Sequence, residues 1–517
     1  MYSCILARHN HVRIWRAIGA RAGYSDVMNR LDPDHCYQAL RTHDRRFDGR
    51  FFVAVSSTGI YCRPVCPART PKQANCQFFR HAAAAEQAGF RPCLRCRPEL
   101  APGLSTLEMP DQLLLHACRW INAGFLNKHN LQQLAERLGI SDRHLRRLFQ
   151  QHYGVSPLQY VQSQRLLQAK QLLTDTYLPM SDVAAMSGFG STRRFNSLFQ
   201  QHYRLTPSQL RTESSMEQPG KKPLQLYLSY RPPCDWQTLL NFLAQRSIAG
   251  VEVINDSGYR RTLHWTGPDG PLYGWLHAEP EPDRHRVKLT LSDNLSPVLP
   301  DIQRQVRQLF DMDCDPEPIQ QQLGPLAAAH PGLRLPSCFD GFEMSVRAIL
   351  GQQVTVKAAH TLAGRIAQAF GHPIETPWPE LTTCFPQAKR IAQLKPEQLA
   401  ELGIIRQRAS AIIALAQALV DGSINLTSLA PVDETLKDLQ ALPGIGPWTA
   451  QYIGMRALAW PDAFPDSDLG VMKAVGSRKR KEILTHAEAW RPWRAYAVMH
   501  LWHQPARTDS ENRDTML

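Results

Sequence analysis

The residues best suited to chemistry lie in one stretch, Leu442 to Asp468, which reads LPGIGPWTAQYIGMRALAWPDAFPDSD. Gly444 and Gly446 separate two apolar helical patterns, and glycine is needed where a chain turns sharply or where its backbone approaches a ligand closely. A helix that begins after such a turn directs unpaired N–H groups and its positive dipole end outward, so it favours an anion such as a DNA phosphate. Asp468 follows Gly446 by 22 residues (468 − 446), after a proline-bounded loop, and would bring a carboxylate close to a nucleotide sugar.

Asp466 lies two residues before Asp468 and competes with it for this role. The spacing from the turn and the leucine that follows Asp468 favour Asp468. Either aspartate could instead cap a helix, which is the usual role of aspartate in such a loop.

Four cysteines form a second candidate centre, in the segments GIYCRPVCPAR and GFRPCLRCRP. Their spacing is C-x3-C, a long gap and then C-x2-C, which gives two clips whose thiolates can close on one tetrahedral Zn2+. Cys76 lies in the gap and fits neither clip. A purely structural zinc ribbon is the default interpretation of this spacing alone. The expected metal ligands are Cys62, Cys66, Cys93 and Cys96.

A sequence repeat lies between the two centres: FQQHYGVSP at Phe149 returns as FQQHYRLTP at Phe199, 50 residues later (199 − 149). Such a repeat indicates two copies of one supersecondary unit. Each copy has an apolar helical pattern, a glycine turn and a serine that can cap the next helix, Ser141 or Ser191. This order is typical of helix-turn-helix units, whose second helix enters the major groove, although phosphate contact is commoner than base readout for a single arginine. The candidate DNA-contacting residues are Arg143, His144, Arg147, Thr192, Arg193 and Asn196.

The composition limits the class of partner. Among the 517 residues, Lys plus Arg exceeds Asp plus Glu by 13 (59 − 46), which suits a polyanion without separating DNA from RNA or membrane. The sequence has no run of about 18 apolar residues, so we expect no membrane partner. The twelve cysteines are scattered along the chain, which favours reduced thiols and a cytoplasmic, nucleoid-associated location.

The fold class predicted from these patterns is a multidomain protein, mainly α with α+β parts. Alternating apolar and polar residues in LQLYLSY, GVEVI and RVKLTLS predict an antiparallel sheet, and the patterns beyond it are helical. The expected divisions are a disordered extension (1–30), a Cys4 zinc domain (31–108), a tandem helix-turn-helix domain (111–212), a polar linker (213–222), a sheet subdomain (223–298), a helical body (299–505) and a disordered tail (506–517).

The C-terminal half resembles a known enzyme family. LPGIGPWTA followed by FPDSD, with WRPWRAYAVMHLW near the end, resembles the helix-hairpin-helix DNA glycosylases, and closely the AlkA-type 3-methyladenine glycosylases, over about residues 224 to 505. The resemblance implies hydrolytic excision of an alkylated purine that has been rotated out of the duplex. Asp468 would stabilise oxocarbenium character on the sugar, and Trp448, Tyr452 and Trp502 would hold the cationic base on their aromatic faces. The alternative for the tryptophans is an ordinary place in the core.

Two further expectations follow from this resemblance. The helical pattern FEMSVRAILGQQVTVKAAHTLAGRI breaks at Gly351 to Gln353, and Gln353 stands where these enzymes carry an intercalating wedge, although an apolar residue is expected there. A polar residue at a helix boundary is the alternative for Gln353. Bifunctional relatives carry lysine at the position of Trp448, so we expect a monofunctional glycosylase that forms no Schiff base and needs no cofactor.

The N-terminal half resembles two other families. FDGRFFVAVSSTGIYCRPVCPAR and AGFRPCLRCRPE resemble the N-terminal domain of Ada-type adaptive-response proteins, and the tandem repeat resembles the AraC family of transcription regulators. The first resemblance implies that Cys62, kept deprotonated by Zn2+, accepts a methyl group once from a DNA phosphotriester. Four thiolates on Zn2+ carry 4 − 2 = 2 negative charges, and methylation lowers this to 1, which weakens repulsion from DNA. The arginines expected to meet phosphates are Arg63, Arg69, Arg91, Arg95 and Arg97.

These resemblances predict a fused alkylation-damage response protein that senses methylated DNA, binds promoters and excises alkylated purines. The expected partners are double-stranded DNA, both damaged and promoter DNA, and RNA polymerase, with the protein itself a monomer. The alternative is a zinc-dependent, methylation-responsive transcription factor whose glycosylase half is inactive and only binds DNA.

Overall fold

The computed structural model describes residues 31–103, 112–213, 224–267 and 269–504. The expected extension, residues 214–222 of the expected linker and the expected tail lie outside these ranges. The described parts form a mainly helical multidomain protein with small sheets, which confirms the predicted fold class. Within the described ranges, none of the helices combines the length and the apolar character that a membrane span requires.

A small sheet brings the two cysteine clips of the zinc domain together. The sheet has the strand order β3-β1-β2-β4, and β2 pairs with β4 in parallel, with Tyr61 opposite Pro92. Cys62 ends β2 and Cys93 follows β4 directly, so this pairing places the two cysteines side by side. The elements are α1 (Pro33–Arg41), β1 (Phe52–Val55), β2 (Ile60–Cys62), β3 (Cys76–Phe79), α2 (Ala82–Gln87) and β4 (Arg91–Pro92).

The next domain contains both of the expected helix-turn-helix units. Ser141 Oγ accepts a hydrogen bond from His144 N at 3.2 Å, and Ser191 Oγ accepts one from Arg194 N at 3.3 Å, so both serines cap the second helix of their unit. The helices are α3 (Gln112–Asn122), α4 (Phe125–Lys128), α5 (Leu131–Arg137), α6 (Asp142–Tyr153), α7 (Pro157–Asp175), α8 (Met180–Met186), α9 (Thr192–Tyr203) and α10 (Pro207–Glu213).

An antiparallel sheet opens the C-terminal half, with the strand order β5-β9-β8-β7-β6. The alternating pattern buries Leu226, Leu276 and Leu289 on one face, as expected for a half-buried sheet. A helix between the first two strands, α11, buries Leu239 against the same core. The elements are β5 (Leu224–Ser229), α11 (Trp236–Ala244), β6 (Glu252–Asn255), β7 (Gly258–Gly267), β8 (Gly270–Glu281) and β9 (Arg286–Leu291).

The body that follows is helical, as predicted, apart from a short ribbon of β10 (His372–Pro373) and β11 (Thr383–Cys384). The prolines of this segment cannot donate the backbone hydrogen bonds of a helix interior, which explains the interruption. The helices are α12 (Leu299–Leu309), α13 (Pro316–Leu323), α14 (Gly341–Leu350), α15 (Val356–Phe370), α16 (Ala388–Ile391), α17 (Pro396–Ala400), α18 (Arg406–Val420), α19 (Val432–Ala441), α20 (Pro447–Arg456), α21 (Leu469–Val475), α22 (Arg480–Glu488) and α23 (Arg494–His503).

The C-terminal half has two hydrophobic cores, and the candidate site lies where they meet. One core joins the sheet to α12 and α23, and Trp502 packs against it. The other core joins α14 to α20, and Tyr452 packs against it. The two aromatic rings therefore face one another across the boundary between two packed bodies.

Candidate active site and zinc centre

The glycine turn between α19 and α20 has the backbone geometry that the sequence predicted. Gly444 has a φ of +80°, and a Cβ there would come within 3.0 Å of the Ala411 side chain, so this position favours glycine. Gly446 is the N-cap of α20 and has no side chain to cap the first turn of that helix. The turn is thus suited to an anion, although Pro447 at the first helical position has no N–H to donate.

Gln352 ties the break between α14 and α15 to this turn. Its Nε2 donates hydrogen bonds to Gly444 O and to Thr449 Oγ1, both at 2.9 Å. Arg408 donates to the backbone carbonyl of Gln352. Gln353, the next residue, is exposed and has a φ of +53°, a conformation that is costly for a residue with a side chain. Gln353, the candidate wedge, is therefore exposed on a strained turn. Hydrogen bonds from Gln352 connect this turn to the glycine turn.

Asp468 caps a helix and also lies beside the candidate aromatic residues, so the helix cap does not conflict with its predicted place in the site. It is the N-cap of α21, where its Oδ1 accepts from Gly470 N at 2.9 Å and from Val471 N at 3.1 Å. The same carboxylate accepts from Trp502 Nε1 at 2.9 Å and, through Oδ2, from Trp448 Nε1 at 3.0 Å. Four N–H donors thus fix the direction in which this half-buried carboxylate points.

Asp466 lies outside this arrangement. Its Oδ2 accepts from Arg480 Nε at 2.7 Å, so its carboxylate is directed to the surface start of α22. The geometry favours Asp468 as the candidate catalytic carboxylate.

The candidate aromatic residues lie together beside Asp468, and we call this group the aromatic cleft. Trp448 and Tyr452 stack with ring centroids 5.4 Å apart, and Tyr452 lies 6.1 Å from Trp502. Phe242 of α11 stacks on Trp502 at 6.0 Å with the ring planes 11° apart. Trp448, Tyr452 and Trp502 are half-buried, so part of each ring is exposed, whereas Phe242 is buried at the end of the row.

Two arginines lie against the aromatic rings of this group. The guanidinium of Arg246 lies 3.7 Å from the Phe242 centroid, and that of Arg456 lies 4.9 Å from it. Arg456 also donates to Tyr452 Oη at 3.1 Å. Burial by itself would raise the pKa of Tyr452, but the charges of Arg456 and Arg246 outweigh it and lower that pKa. Sequence reasoning missed Phe242 and Arg246, which lie far before the glycine turn in a segment without a motif; Arg246 precedes Gly446 by 200 residues (446 − 246). It also missed Arg456, which ends α20 itself but has no feature in the sequence that distinguishes it from the other arginines.

The four expected zinc ligands come together in the other half of the molecule. The sulfur atoms of Cys62, Cys66, Cys93 and Cys96 all lie within 4.8 Å of one another, and among the described residues this is the one such group able to hold a metal ion. Four thiolates at this spacing fit a tetrahedral Zn2+ with Zn–S bonds of about 2.3 Å. Cys62 is half-buried and its three partners are buried, so Cys62 is the most exposed of the four candidate ligands.

The expected phosphate-binding role of two nearby arginines is wrong. Arg63 is buried, and its Nε donates to Asp48 Oδ1 at 2.8 Å. Arg97 is committed to Asp175 at 2.7 Å and to Glu99 at 3.0 Å. Both arginines directly follow a zinc ligand, where burial forces their charges to pair with carboxylates. Arg69 and Arg95 are exposed and Arg91 is half-buried, so phosphate contact stays a prediction for these three.

The two recognition helices present the expected surface. Arg143 and Arg147 on α6, and Arg193 and Asn196 on α9, are exposed, whereas His144 and Thr192 are half-buried beside the caps. Arg146 and Arg194 are equally exposed and were missed, although Arg146 is paired with Asp142 at 2.9 Å. Both helices thus carry a basic face toward solvent, as binding to a polyanion requires.

Family models match four consecutive parts of the chain. They are the metal binding domain of Ada at residues 35–99, a helix-turn-helix domain at 134–213, the AlkA N-terminal domain at 225–340 and the HhH-GPD superfamily of base excision DNA repair proteins at 346–494. Each match falls on the part of the molecule to which the sequence had assigned that resemblance.

Curated relatives agree with this division. The probable bifunctional transcriptional activator/DNA repair enzyme AlkA of Mycobacterium tuberculosis is 38% identical over 487 residues, which cover 91% of this chain and 96% of the relative. DNA-3-methyladenine glycosylase 2 of Escherichia coli is 40% identical over 276 residues, 53% of this chain and 96% of the relative. The bifunctional transcriptional activator/DNA repair enzyme Ada of Escherichia coli is 36% identical over 143 residues, 28% of this chain and 39% of the relative. Because the first of these matches along almost its whole length, the chain belongs to the family of bifunctional transcriptional activator/DNA repair enzymes of the AlkA type.

Proposed function

We propose that the C-terminal half hydrolyses the N-glycosidic bond of alkylated purines of the 3-methyladenine type in DNA, with Asp468 as the catalytic carboxylate. The observation that carries this proposal is the pair of indole N–H groups, from Trp448 and Trp502, that hold the Asp468 carboxylate at the mouth of an aromatic cleft. The alkylated base is a cation, and electron-rich rings attract it. The normal, uncharged base lacks this attraction.

The reaction requires the base to leave the duplex first. The glycine turn grips the backbone phosphate, and Gln353 fills the space that the rotated base leaves in the stack. As the bond to the base breaks, positive charge develops on the sugar, and the fixed carboxylate of Asp468 stabilises it and orients water for attack. The electrons of the broken bond leave with the base, which becomes neutral. Trp448 occupies the place of the Schiff-base lysine of bifunctional relatives, so the enzyme is monofunctional and leaves the strand intact.

The N-terminal half is proposed to act once per molecule. The sulfur of Cys62 attacks the methyl carbon of a phosphotriester, the carbon–oxygen bond breaks, and the phosphodiester anion leaves. When bound, Zn2+ keeps that sulfur ionised at neutral pH. The half-buried position of Cys62 supports its choice over the three buried cysteines.

Methylation removes one negative charge from the centre and so strengthens DNA binding by the exposed basic faces of α6 and α9 and by Arg69, Arg91 and Arg95. In this way a methylated backbone becomes a signal for transcription. We propose RNA polymerase as the further partner, with the protein acting as a monomer at the nucleoid.

The test of the glycosylase is base release from alkylated DNA by the full-length protein. We expect Asp468→Asn to lower the rate of 3-methyladenine release by about 10²–10³-fold, because the developing sugar cation loses its counter-charge. Asp466→Asn is the matched control, since its carboxylate pairs with Arg480 instead, and it should stay within a few-fold of the native rate. If the native protein releases no base, the alternative function, a regulator whose glycosylase half only binds DNA, replaces this one.

A further inference from the structure

A single arginine of the glycosylase half is buried in the surface of the zinc domain. Arg231, just after β5, is 0% exposed. Its Nε donates to Asp48 O at 3.0 Å and its Nη2 donates to Gly103 O, both in the zinc domain, while its Nη1 donates to Asp313 O at 2.9 Å in its own half. We call these four residues the Arg231 clamp. A guanidinium removed from water needs such partners, so separating the two halves would leave its N–H groups unpaired or return them to water.

Other contacts extend the same interface. Gly103 N donates to Asp313 Oδ1 at 2.7 Å, and a Cβ at Gly103 would come within 2.8 Å of that oxygen. Arg50 of the zinc domain forms an ion pair with Asp315, whose side chain is 2% exposed, and a second with Glu317 at 3.2 Å. The pair of Arg50 with Asp315 is desolvated in the docked arrangement, so it depends on the close fit of both surfaces.

The interface is connected to the cysteine cluster through one residue pair. Asp48, whose carbonyl accepts from Arg231, receives the side chain of Arg63 on its carboxylate, with Arg63 Nε 2.8 Å from Asp48 Oδ1. Arg63 directly follows Cys62, its backbone N donates to Cys96 Sγ at 3.3 Å, and its Nη1 donates to Cys96 O at 3.2 Å. The same arginine therefore contacts the metal-binding loops and the residue that holds the clamp.

The clamp also adjoins the segment that leads to the aromatic cleft. Arg334, which is 0% exposed, donates to the carbonyls of Arg231 and Pro233, the latter at 3.0 Å. Three residues after Pro233 the chain enters α11, which contains Phe242 and is followed closely by Arg246, whose guanidinium lies on the Phe242 ring. The docked surface thus lies at the start of an element that builds the candidate active site.

We propose that the zinc domain is a docked structural subunit of the glycosylase, and that metal binding by the four cysteines stabilises the glycosylase fold through the Arg231 clamp. The interface on the zinc domain consists of Asp48, Arg50 and Gly103. It packs against the edge of the glycosylase half formed by Arg231, Asp313 and Asp315. Any ligand that stabilises one of two docked domains stabilises the other by as much as the docking couples them.

Thermal unfolding of the full-length protein followed by tryptophan fluorescence tests this. All of the 11 tryptophans except Trp15 and Trp120 lie in the glycosylase half, so the signal reports mainly on its unfolding. We expect removal of zinc with a chelator to lower the midpoint of that transition by roughly 2–8 °C in the native protein. In Gly103→Ala the midpoint should start lower and respond little to the chelator, because the added methyl group meets Asp313 across the interface.

Gly103→Ala changes only the zinc-domain side, so every glycosylase side chain needed for folding stays in place. Gly190→Ala is the matched control, because a Cβ at Gly190 meets nothing within 4 Å, and it should keep the full chelator effect. Arg231→Met, which removes the clamp from the other side, should give the same insensitivity as Gly103→Ala. A native midpoint that zinc removal leaves unchanged would overturn the proposal, and so would a chelator effect that survives undiminished in both clamp variants. Neither readout depends on base release, so the outcome is separate from that of the glycosylase assay.

Discussion

The zinc centre and the aromatic cleft bring their candidate reactive anions into position in two different ways. The zinc centre takes its four ligands from 35 consecutive positions, Cys62 to Cys96, and two short strands suffice to bring them together. The cleft joins Phe242 to Trp502, 260 residues apart (502 − 242), at the boundary of two hydrophobic cores. One site is local in the chain, and the other depends on the packing of a whole domain.

The difference follows from what each site is proposed to do. A thiolate that reacts once needs only to be ionised and reachable, so three of the four sulfurs can be buried. A carboxylate that acts repeatedly must remain ionised beside a pocket that admits and releases a purine. Its orientation is accordingly set by four N–H donors, two of them from tryptophans on separate helices. Damage to remote packing should therefore affect the cleft more than the zinc centre.

The largest effect on activity is expected from a variant that removes methyl acceptance and leaves base release intact. Cys62→Ser should abolish methyl acceptance from phosphotriester DNA, because a neutral hydroxyl is a far weaker nucleophile, and should leave base release within about two-fold. Mass spectrometry of the peptide that carries Cys62 should find one added methyl group in the native protein. Cys76→Ser, outside the cluster, is the control and should keep full acceptance. A methyl group on another cysteine would contradict the assignment.

A smaller effect on base release is expected when Asp468 keeps the neighbouring aromatic rings but loses one of its indole N–H donors. Trp448→Phe and Trp502→Phe each retain an aromatic face and remove one indole N–H from Asp468. A hydrogen bond to a charged group contributes about 1.5–3 kcal/mol, so each change should lower kcat/KM for 3-methyladenine release by about 10–100-fold. Trp460→Phe, on a tryptophan that packs between the two cores, serves as the comparison. An equal loss in all three variants would mean that packing, and not orientation of Asp468, is responsible.

The smallest effect should come from the turn that carries the candidate wedge. Gln352→Leu removes the two hydrogen bonds to Gly444 O and Thr449 Oγ1 while keeping a similar volume. The two hydrogen bonds together contribute about 2 kcal/mol, but Arg408 still donates to the backbone carbonyl at this position, so only part of that energy should be lost. We expect kcat/KM to fall by about 3–10-fold, mainly through a higher KM for duplex DNA. On single-stranded alkylated DNA, where no stack has to be opened, the variant should match the native enzyme. A loss of the same size on both substrates would refute a role in opening the duplex.

Many local features of this protein can be predicted from short stretches of its sequence. The two cysteine clips, the serine caps at Ser141 and Ser191 and the glycine turn before α20 all depend on backbone geometry within a few residues, so residue type and spacing predict them. The choice between Asp466 and Asp468 rested on weaker signals, since only the spacing from the turn and the following leucine favoured Asp468. Both occupy the same loop, and the donors that distinguish them come from α20 and α23.

The wrong predictions for Arg63 and Arg97 have a similar cause, because the partners of these residues are not evident from the sequence. Arg63 and Arg97 look like phosphate ligands in the sequence because they are basic and flank cysteines. In the structure Arg63 pairs with Asp48, 15 residues away in the chain, and Arg97 pairs with Asp175, 78 residues away. The type of a residue and its neighbours in the sequence do not show whether an arginine is paired inside the protein. That depends on where the folded chain brings its carboxylate partner.

What the sequence by itself determined is the list of parts: a metal-binding cysteine cluster, two DNA-reading units and a glycosylase with a carboxylate after its glycine turn. Tertiary structure alone decided which side chains act together, namely the row from Phe242 to Trp448 around Asp468 and the burial of Arg231 in the zinc domain. The reason is physical: local motifs are fixed by backbone dihedral angles and neighbouring side chains, whereas a cleft and a domain interface exist only once hydrophobic burial has brought distant segments into contact.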